Sequence, residues 1–476
     1  MRFDEYRAHD AVSLAGLVAK GEVTAGELLD LSVARMAEVN PKINAVTRDM
    51  SDVARTALTE TASGSGAGSG PLAGVPYLLK DLGSHYGGVP TTYGSRLFAE
   101  VTAPADSAMT RLYKAVGLNI FGKTNTPEFG IWPVTEPHLL GVCRNPWDLD
   151  RTPGGSSGGA SAAVSAGIVP AAHATDGGGS IRIPAACCGL FGMKPSRGRV
   201  SFAPAGEGWA GASIPHAVTR SVRDSAALLD ATCAPQPGDP YFLSPPERPY
   251  AEEVGRDPGR LRIAFTDGAL TVGASLDPEV AEAVRDAARL CESLGHHVEA
   301  ATLPGDHSAM QAAARTILWA SVAANIEAEC ERRGRPLVEG EVEPATYDIY
   351  RRGKETAGPD YVRAVQAVHA YGRAAASLFE RFDVFLLATL GRPAIPVGYL
   401  FEDPKQTVER LFSYMPNTQA FNNSGQPAMT VPLAWSSGGL PIGIQFAART
   451  GDESTLFRLA GQLEKARPWF DRTAPL

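Results

Sequence analysis

The sequence is short of cysteine, of long apolar runs and of positive charge, and each shortage removes a class of protein. Its six cysteines (143, 187, 188, 233, 291 and 330) form no C-x-x-C pair and have no histidine at zinc-ligand spacing, which argues against a disulfide scaffold or a zinc site. Cys187 and Cys188 are adjacent, a poor geometry for an unstrained bridge, so all six are expected as free, small core residues. No apolar stretch reaches the roughly 18 residues of a membrane helix, and the opening MRFDEYRAHD lacks the basic-then-apolar layout of a signal peptide. A cytoplasmic protein with no membrane partner is expected. Lys and Arg number 44 against 52 Asp and Glu, a formal charge of −8, so the basic face of a nucleic-acid binder is not anticipated.

What is plentiful is glycine, and it is concentrated around two serines, in PGGSSGGAS (153–161) and ATDGGGSIRIPA (174–185). Glycine runs let backbone N–H groups converge on one space, so a serine among them sits beside donors for a developing oxyanion. A serine hydroxyl also needs a base. Of the nine histidines, His85, His138 and His173 lie nearest to the relevant segments, but none has the context of a triad base. GGSSG (154–158) fits the G-x-S-x-G pattern, yet the preceding LDRTPGG reads as loop where a nucleophile elbow needs a strand. Lys80 closes the apolar run Val75, Tyr77, Leu78, Leu79. It reads either as a surface lysine at a strand end or as a desolvated amine neutral enough to act as base, with Asp81 opposing that shift if it faces the same way.

The chain reads as α/β, with 44% hydrophobic and 20% charged residues, ordinary values for a soluble enzyme. Thr24-Ala-Gly-Glu27 forms a capping box before Leu28, Leu29, Val33 and Met36, giving a helical N-terminal region over 1–60. ASGSGAGSG (62–70) reads as a mobile surface loop. Strands are expected in 71–81, 117–124 and 167–176, within a catalytic core over 71–230. The Pro-rich 234–249 reads as a surface excursion, and 234–476 as a C-terminal part with further strands and pocket elements of a single 1–476 domain. There LRIAF (261–265), a helix over 277–295 capped by Asp277 and stopped by Gly295, and HVEAATL (297–303) have β-α-β order. MTVPL (429–433) and PIGIQF (441–446) suggest a hairpin.

Together, Lys80-Asp81, Gly154 to Gly159, and Asp176-Gly-Gly-Gly-Ser180-Ile-Arg-Ile-Pro-Ala185 resemble the amidase signature family, including the separation 180 − 156 = 24 between the two serines. The likeness continues through GKTNTPEFG (122–130), RNPWDLDRTPGGSSGG (144–159), CCGLFGMKPSRGRVS (187–201) and, more faintly, FNNSGQPAMTVPL (421–433). It implies a large mixed twisted β-sheet covered by helices on both faces. It also implies a Ser-cisSer-Lys triad with Ser180 as nucleophile, Ser156 as relay after a cis Gly155-Ser156 peptide, and Lys80 as base. The amides of Gly177, Gly178, Gly179 and Ser180 would form the oxyanion hole, and no metal or cofactor would be needed. Asp176 and Arg182 would pair to hold the glycine loop, and Ser157 would hydrogen-bond within the site; a solvated charge and a loop serine are the plainer readings of these residues. The family often carries a larger residue at the place of Gly177, so the triple glycine is expected to loosen or widen that loop.

LLKDLGSHYGGVPTTYGSRLF (78–98) and HATDGGGSIRIPA (173–185) look similar to the family's 6-aminohexanoate cyclic dimer hydrolase branch. The expected partner is a small or medium amide, linear, cyclic or aryl, and a homodimer is left open. Phe129, Trp132, Trp209 and Trp319 are candidate pocket walls, or alternatively core. The competing functions are the glutaminase subunit of a tRNA-dependent amidotransferase and an anion-cradling binding module. The first is disfavoured because GKTNTPEFG lacks the Met-Asp usual before Glu-Phe; the second leaves three filled triad positions unexplained.

Overall fold

The computed structural model describes residues 1–62 and 70–476, so the low-complexity stretch at 62–70 lies, apart from its two end residues, outside the described residues. Its strands are β1 (Val46–Asp49), β2 (Pro76–Lys80), β3 (Asn119–Thr124), β4 (Ala171–Asp176), β5 (Phe191–Lys194) and β6 (Ile214–Thr219) in the first half. The second half adds β7 (Arg262–Phe265), β8 (His297–Ala300), β9 (Val384–Ala388), β10 (Ala428–Trp435) and β11 (Pro441–Ala448). Among the described residues these form one mixed sheet of eleven strands in the order β1-β3-β2-β4-β6-β5-β10-β11-β9-β7-β8. Strands from both halves meet where β5 pairs with β10.

Alternation along the strands sorts side chains into cores on opposite faces. Tyr77 and Leu79 of β2 enter one apolar cluster and Leu78 the other. The first cluster includes Leu14, Leu228, Val284 and Leu459, carried by the helices Ala11–Ala19, Val222–Thr232, Pro278–Ser293 and Glu453–Ala466. The second includes Leu29, Ala162 and Ala185, from Ala25–Ile43, Gly158–Ser165 and Arg182–Cys188. Helices thus cover both faces, and β2 is buried from end to end.

Local signals account for much of this. The Thr24 capping box is formed, with Thr24 Oγ1 accepting from Glu27 N–H at 3.1 Å and Glu27 Oε2 accepting from Thr24 N–H at 2.8 Å. The helix Pro278–Ser293 starts where Asp277 accepts from the Glu279 N–H, and its flanking strands β7 and β8 pair in parallel. β10 and β11 pair antiparallel, as the hairpin pattern requires. β2 and β4 run parallel and adjacent, so their carboxyl ends, Lys80 and Asp176, lie at one edge of the sheet, where open α/β folds place their ligands. No described helix is long and apolar enough to cross a membrane.

Candidate active site

Lys80 is fully buried at the end of β2. Its Nζ lies 2.7 Å from Ser156 Oγ, 3.0 Å from Ser157 Oγ and 3.0 Å from Thr175 Oγ1, and among the described residues no carboxylate is within ion-pair distance. Burial lowers its pKa to about 7, with Asp176 opposing as a more distant negative charge. Asp81 faces elsewhere: it accepts from Thr92 and lies 3.5 Å from Lys123 Nζ, so it does not hold the Lys80 proton. The Gly155-Ser156 peptide is cis. Ser157 also ties this loop to β4, donating to the Thr175 carbonyl and accepting from its N–H, each at 3.3 Å.

The glycine loop after β4 is organised by a buried ion pair. Asp176 meets Arg182 through Oδ1–Nη2 and Oδ2–Nε contacts of 2.9 Å each, a bidentate fork. Burial alone would raise the Asp176 pKa, but the Arg182 charge and hydrogen bonds, helped by Lys194 and Asn422, hold it well below the usual carboxylate range. Arg182 reaches on to Thr418 O at 2.9 Å, Gln445 Oε1 at 2.6 Å and Asn422 Oδ1 at 2.7 Å. Both residues are fully buried, so the solvated-charge reading does not apply.

The oxyanion expectation needs one correction. The Gly179 N–H donates to Asp176 Oδ1 at 2.7 Å and is therefore occupied. The amides of Gly177, Gly178 and Ser180 have no acceptor among the described residues. Gly179 is glycine for another reason: its φ is 133°, and a Cβ would stand 2.5 Å from Thr418 Oγ1. Gly177 does not widen the loop either. A Cβ there would lie 2.5 Å from Trp209 Cζ3, so the missing side chain makes room for that indole. Trp209 and Ala210 both have left-handed backbone, with φ of 57° and 53°.

Ser180 opens into a cavity of about 820 Å³ with predominantly apolar walls. Gly177, Gly178, Trp132, Trp209 and Trp319 line it with Ser180. Phe129 does not: it is buried in a core cluster with Leu97, edge-on to Phe98 at 5.5 Å, while its neighbour Gly130 reaches the cavity. Further walls come from the helices His307–Arg333, Pro344–Lys354 and Thr407–Tyr414 through Leu318, Ile349 and Phe412, none of which stands in a motif. Glu128, also unforeseen, accepts from Ser95 Oγ at 2.6 Å and from the Glu343 N–H at 2.8 Å, joining the 122–130 segment to the start of Pro344–Lys354. Amphipathic periodicity could have found these helices, but not the face they turn to Ser180.

The histidines stand apart from this cavity. His173 is fully buried, and burial, with Lys80 adding to the effect, lowers its pKa to about 3; its Nδ1 accepts from the Lys80 backbone N–H. His85 contacts Thr91 and Tyr93, and the backbone N–H of His138 donates to Glu343. Gly117 to Thr124 carries the spacing of a phosphate-binding loop, G-x-x-x-x-G-K-T, but from Asn119 onward it is strand β3, with Lys123 buried against Thr91 and Asp81. It presents no loop of amides to an anion. The described residues contain no group of His, Cys, Asp and Glu suited to a metal ion.

Comparison with known proteins agrees with these motifs. The family model described as Amidase matches residues 27–457. The chain is 38% identical to a 6-aminohexanoate-cyclic-dimer hydrolase of Paenarthrobacter ureafaciens, covering 98% of this chain and 96% of the relative. A solved structure of a 6-aminohexanoate cyclic dimer hydrolase complexed with substrate superposes with a TM-score of 0.92 at 38% identity, over 98% of each chain. A bacterial aryl acylamidase of the amidase signature family superposes with a TM-score of 0.88 at 26% identity, over 98% of this chain and 99% of that one.

Proposed function

The chain belongs to the amidase signature family and is an amide-cleaving hydrolase, and from that premise we propose that it cleaves its substrate through an acyl-enzyme formed on Ser180, with Ser156 as relay and Lys80 as base. The observation that carries this reading is the Lys80 amine, buried, 2.7 Å from Ser156 Oγ and without a carboxylate counter-ion. A neutral amine has one lone pair and can accept the Ser156 proton. Ser156 Oγ then takes the proton of Ser180 as Ser180 Oγ bonds to the amide carbon. The carbonyl oxygen gathers negative charge and is met by the N–H groups of Gly177, Gly178 and Ser180.

Collapse of that intermediate breaks the C–N bond, and Ser156 delivers a proton to the departing amine while recovering one from Lys80. Water attacks the acyl-enzyme by the same relay, releasing the carboxylic acid and restoring Ser180. Asp176 and Arg182 position the loop without touching the substrate.

The cavity volume and its apolar walls suit a medium-sized amide with a substantial hydrocarbon portion, and the likeness to cyclic-dimer hydrolases supports a 6-aminohexanoate cyclic dimer or a related amide. A glutaminase subunit fits less well, because glutamine is small and polar and would leave most of that apolar volume unfilled. The test combines labelling with a serine-directed fluorophosphonate and a hydrolysis screen over linear, cyclic and aryl amides and glutamine. Labelling lost in Ser180→Ala, with turnover of apolar amides, is the expected result. Labelling that survives in Ser180→Ala would overturn the nucleophile assignment, and turnover of glutamine alone would favour the subunit.

A further inference from the structure

The cavity that holds Ser180 is mainly apolar, and its charged lining residues are Arg315, Asp348 and Arg352. Two of these neutralise one another. Arg352 Nε donates to Asp348 Oδ2 at 2.7 Å, one turn apart on the helix Pro344–Lys354, and the guanidinium lies over the Trp319 ring at 5.3 Å. Asp348 is further occupied by Arg351 at 3.2 Å.

Arg315 is different. It is half-buried on the helix His307–Arg333, one turn before Trp319, and it has no carboxylate or other hydrogen-bond acceptor among the described residues. Its guanidinium lies over the ring of Phe412, whose centroid is 5.8 Å away. Stacking of this kind leaves the N–H edge of a guanidinium free to donate. A half-buried guanidinium has lost part of its hydration, and two N–H groups in a planar fork match a carboxylate more closely than any neutral group.

We propose that Arg315 receives a carboxylate carried by the amide substrate at a distance from the scissile bond, so that, among amides related to the 6-aminohexanoate cyclic dimer, which itself has no free acid, linear ones of apolar backbone with a terminal acid are preferred. The assignment rests on the reading of Ser180 as the nucleophile of an amidase. A linear amide with a free acid end would place its hydrocarbon chain along the Trp and Leu walls, its carbonyl at Ser180 and its charge at Arg315. The neutral Asp348–Arg352 pair adds no net charge that would cancel this selectivity.

The experiment compares matched amides of graded chain length bearing a terminal carboxylate, its primary carboxamide or a terminal ammonium. One series carries the terminal group on the acyl side and the other on the amine side. For wild type, at least one carboxylate series is expected to show the higher kcat/KM, and the ratio of carboxylate to carboxamide should fall about 10- to 100-fold in Arg315→Gln. In Arg315→Glu the preference should turn toward the ammonium series. Binding of the same compounds to Ser180→Ala, followed by calorimetry, separates the two levels of the argument. Carboxylate-selective binding with no turnover by wild type would remove the amidase mechanism and keep the Arg315 site. Turnover or binding with no charge preference in either series, or a preference unchanged in Arg315→Gln, would overturn the proposal.

Discussion

Lys80 on β2 and Lys123 on β3 stand on neighbouring parallel strands, with Leu79 opposite Lys123 and Lys80 opposite Thr124, and both side chains are fully buried. Burial lowers both pKa values, to about 7 for Lys80 and about 8 for Lys123. Their partners differ. Lys123 has the carboxylate of Asp81 at 3.5 Å and a hydroxyl, Thr91, so its charge is compensated where it stands. Lys80 has three hydroxyls, and its nearest influential carboxylate, Asp176, is committed to Arg182. On the proposed mechanism, then, burial alone does not suit a lysine to act as base; the missing counter-ion and the serine beside it do.

The sharpest way to break this contrast is to remove each amine in turn. Lys80→Met is expected to lower amide turnover by about 10³-fold or more, as for loss of a general base. Lys123→Met should keep most of its turnover per folded molecule, measured after correction for the folded fraction by circular dichroism. Similar losses in both variants would erase the distinction.

Asp81→Asn tests the same pair from the other side. It strands a buried ammonium and is expected to cost about 3 kcal/mol in denaturant unfolding. The acid limb of the pH–rate profile should stay where it is, because the proposed mechanism assigns that limb to Lys80. In wild type the limb is expected near pH 7, with turnover falling about tenfold per unit below it as Lys80 takes up a proton. Thr175→Asp places a carboxylate beside Lys80 Nζ, in effect giving it the surroundings of Lys123, and should move the limb upward by about 1 to 3 units. A limb unmoved by Thr175→Asp would mean that another group titrates.

The same shift also shapes stability. The native Lys80 pKa lies below the value of 10.5 expected for the unfolded chain, so between about pH 7 and 10.5 the unfolded state binds more protons than the native state. Its contribution to stability therefore rises with pH through that window and is lost as pH falls toward 7. Lys80→Met should flatten this part of the stability curve relative to wild type.

The placement of Lys80, Ser156 and Ser180 at one sheet edge was legible because all three lie in dense local motifs at the ends of strands or in glycine loops. The hairpin of β10 and β11 and the β7-helix-β8 unit were legible for the same reason: alternation, caps and turns act over a few residues. β9 and β6 were missed although Val384–Ala388 and Ile214–Thr219 are continuous buried runs, and β1 and β5 are four-residue segments whose pairing decides their conformation. Trp132, Trp209 and Trp319 were named as pocket walls on aromatic character alone, and the same criterion misplaced Phe129. Arg315 carried no signal, since an arginine on an amphipathic helix ordinarily reads as its solvated face. The segment 117–124 was legible as a strand from its apolar run, although its letters also spell the spacing of a phosphate-binding loop.

The Asp176–Arg182 pair spans the chain as well as the loop. Arg182 is held by Thr418, Asn422 and Gln445, at sequence separations of 236, 240 and 263 residues. During synthesis, a chain that has emerged only as far as residue 400 already contains Lys80, Ser156 and Ser180, yet lacks every one of those three anchors. The guanidinium would have Asp176 and water alone, and the loop would be free to sample other shapes. If Ser180 is the nucleophile, competence for amide cleavage is expected only once the segment from Thr418 to Gln445 has been made, and that segment, rather than any part of the motif-bearing half, is the clasp on the glycine loop.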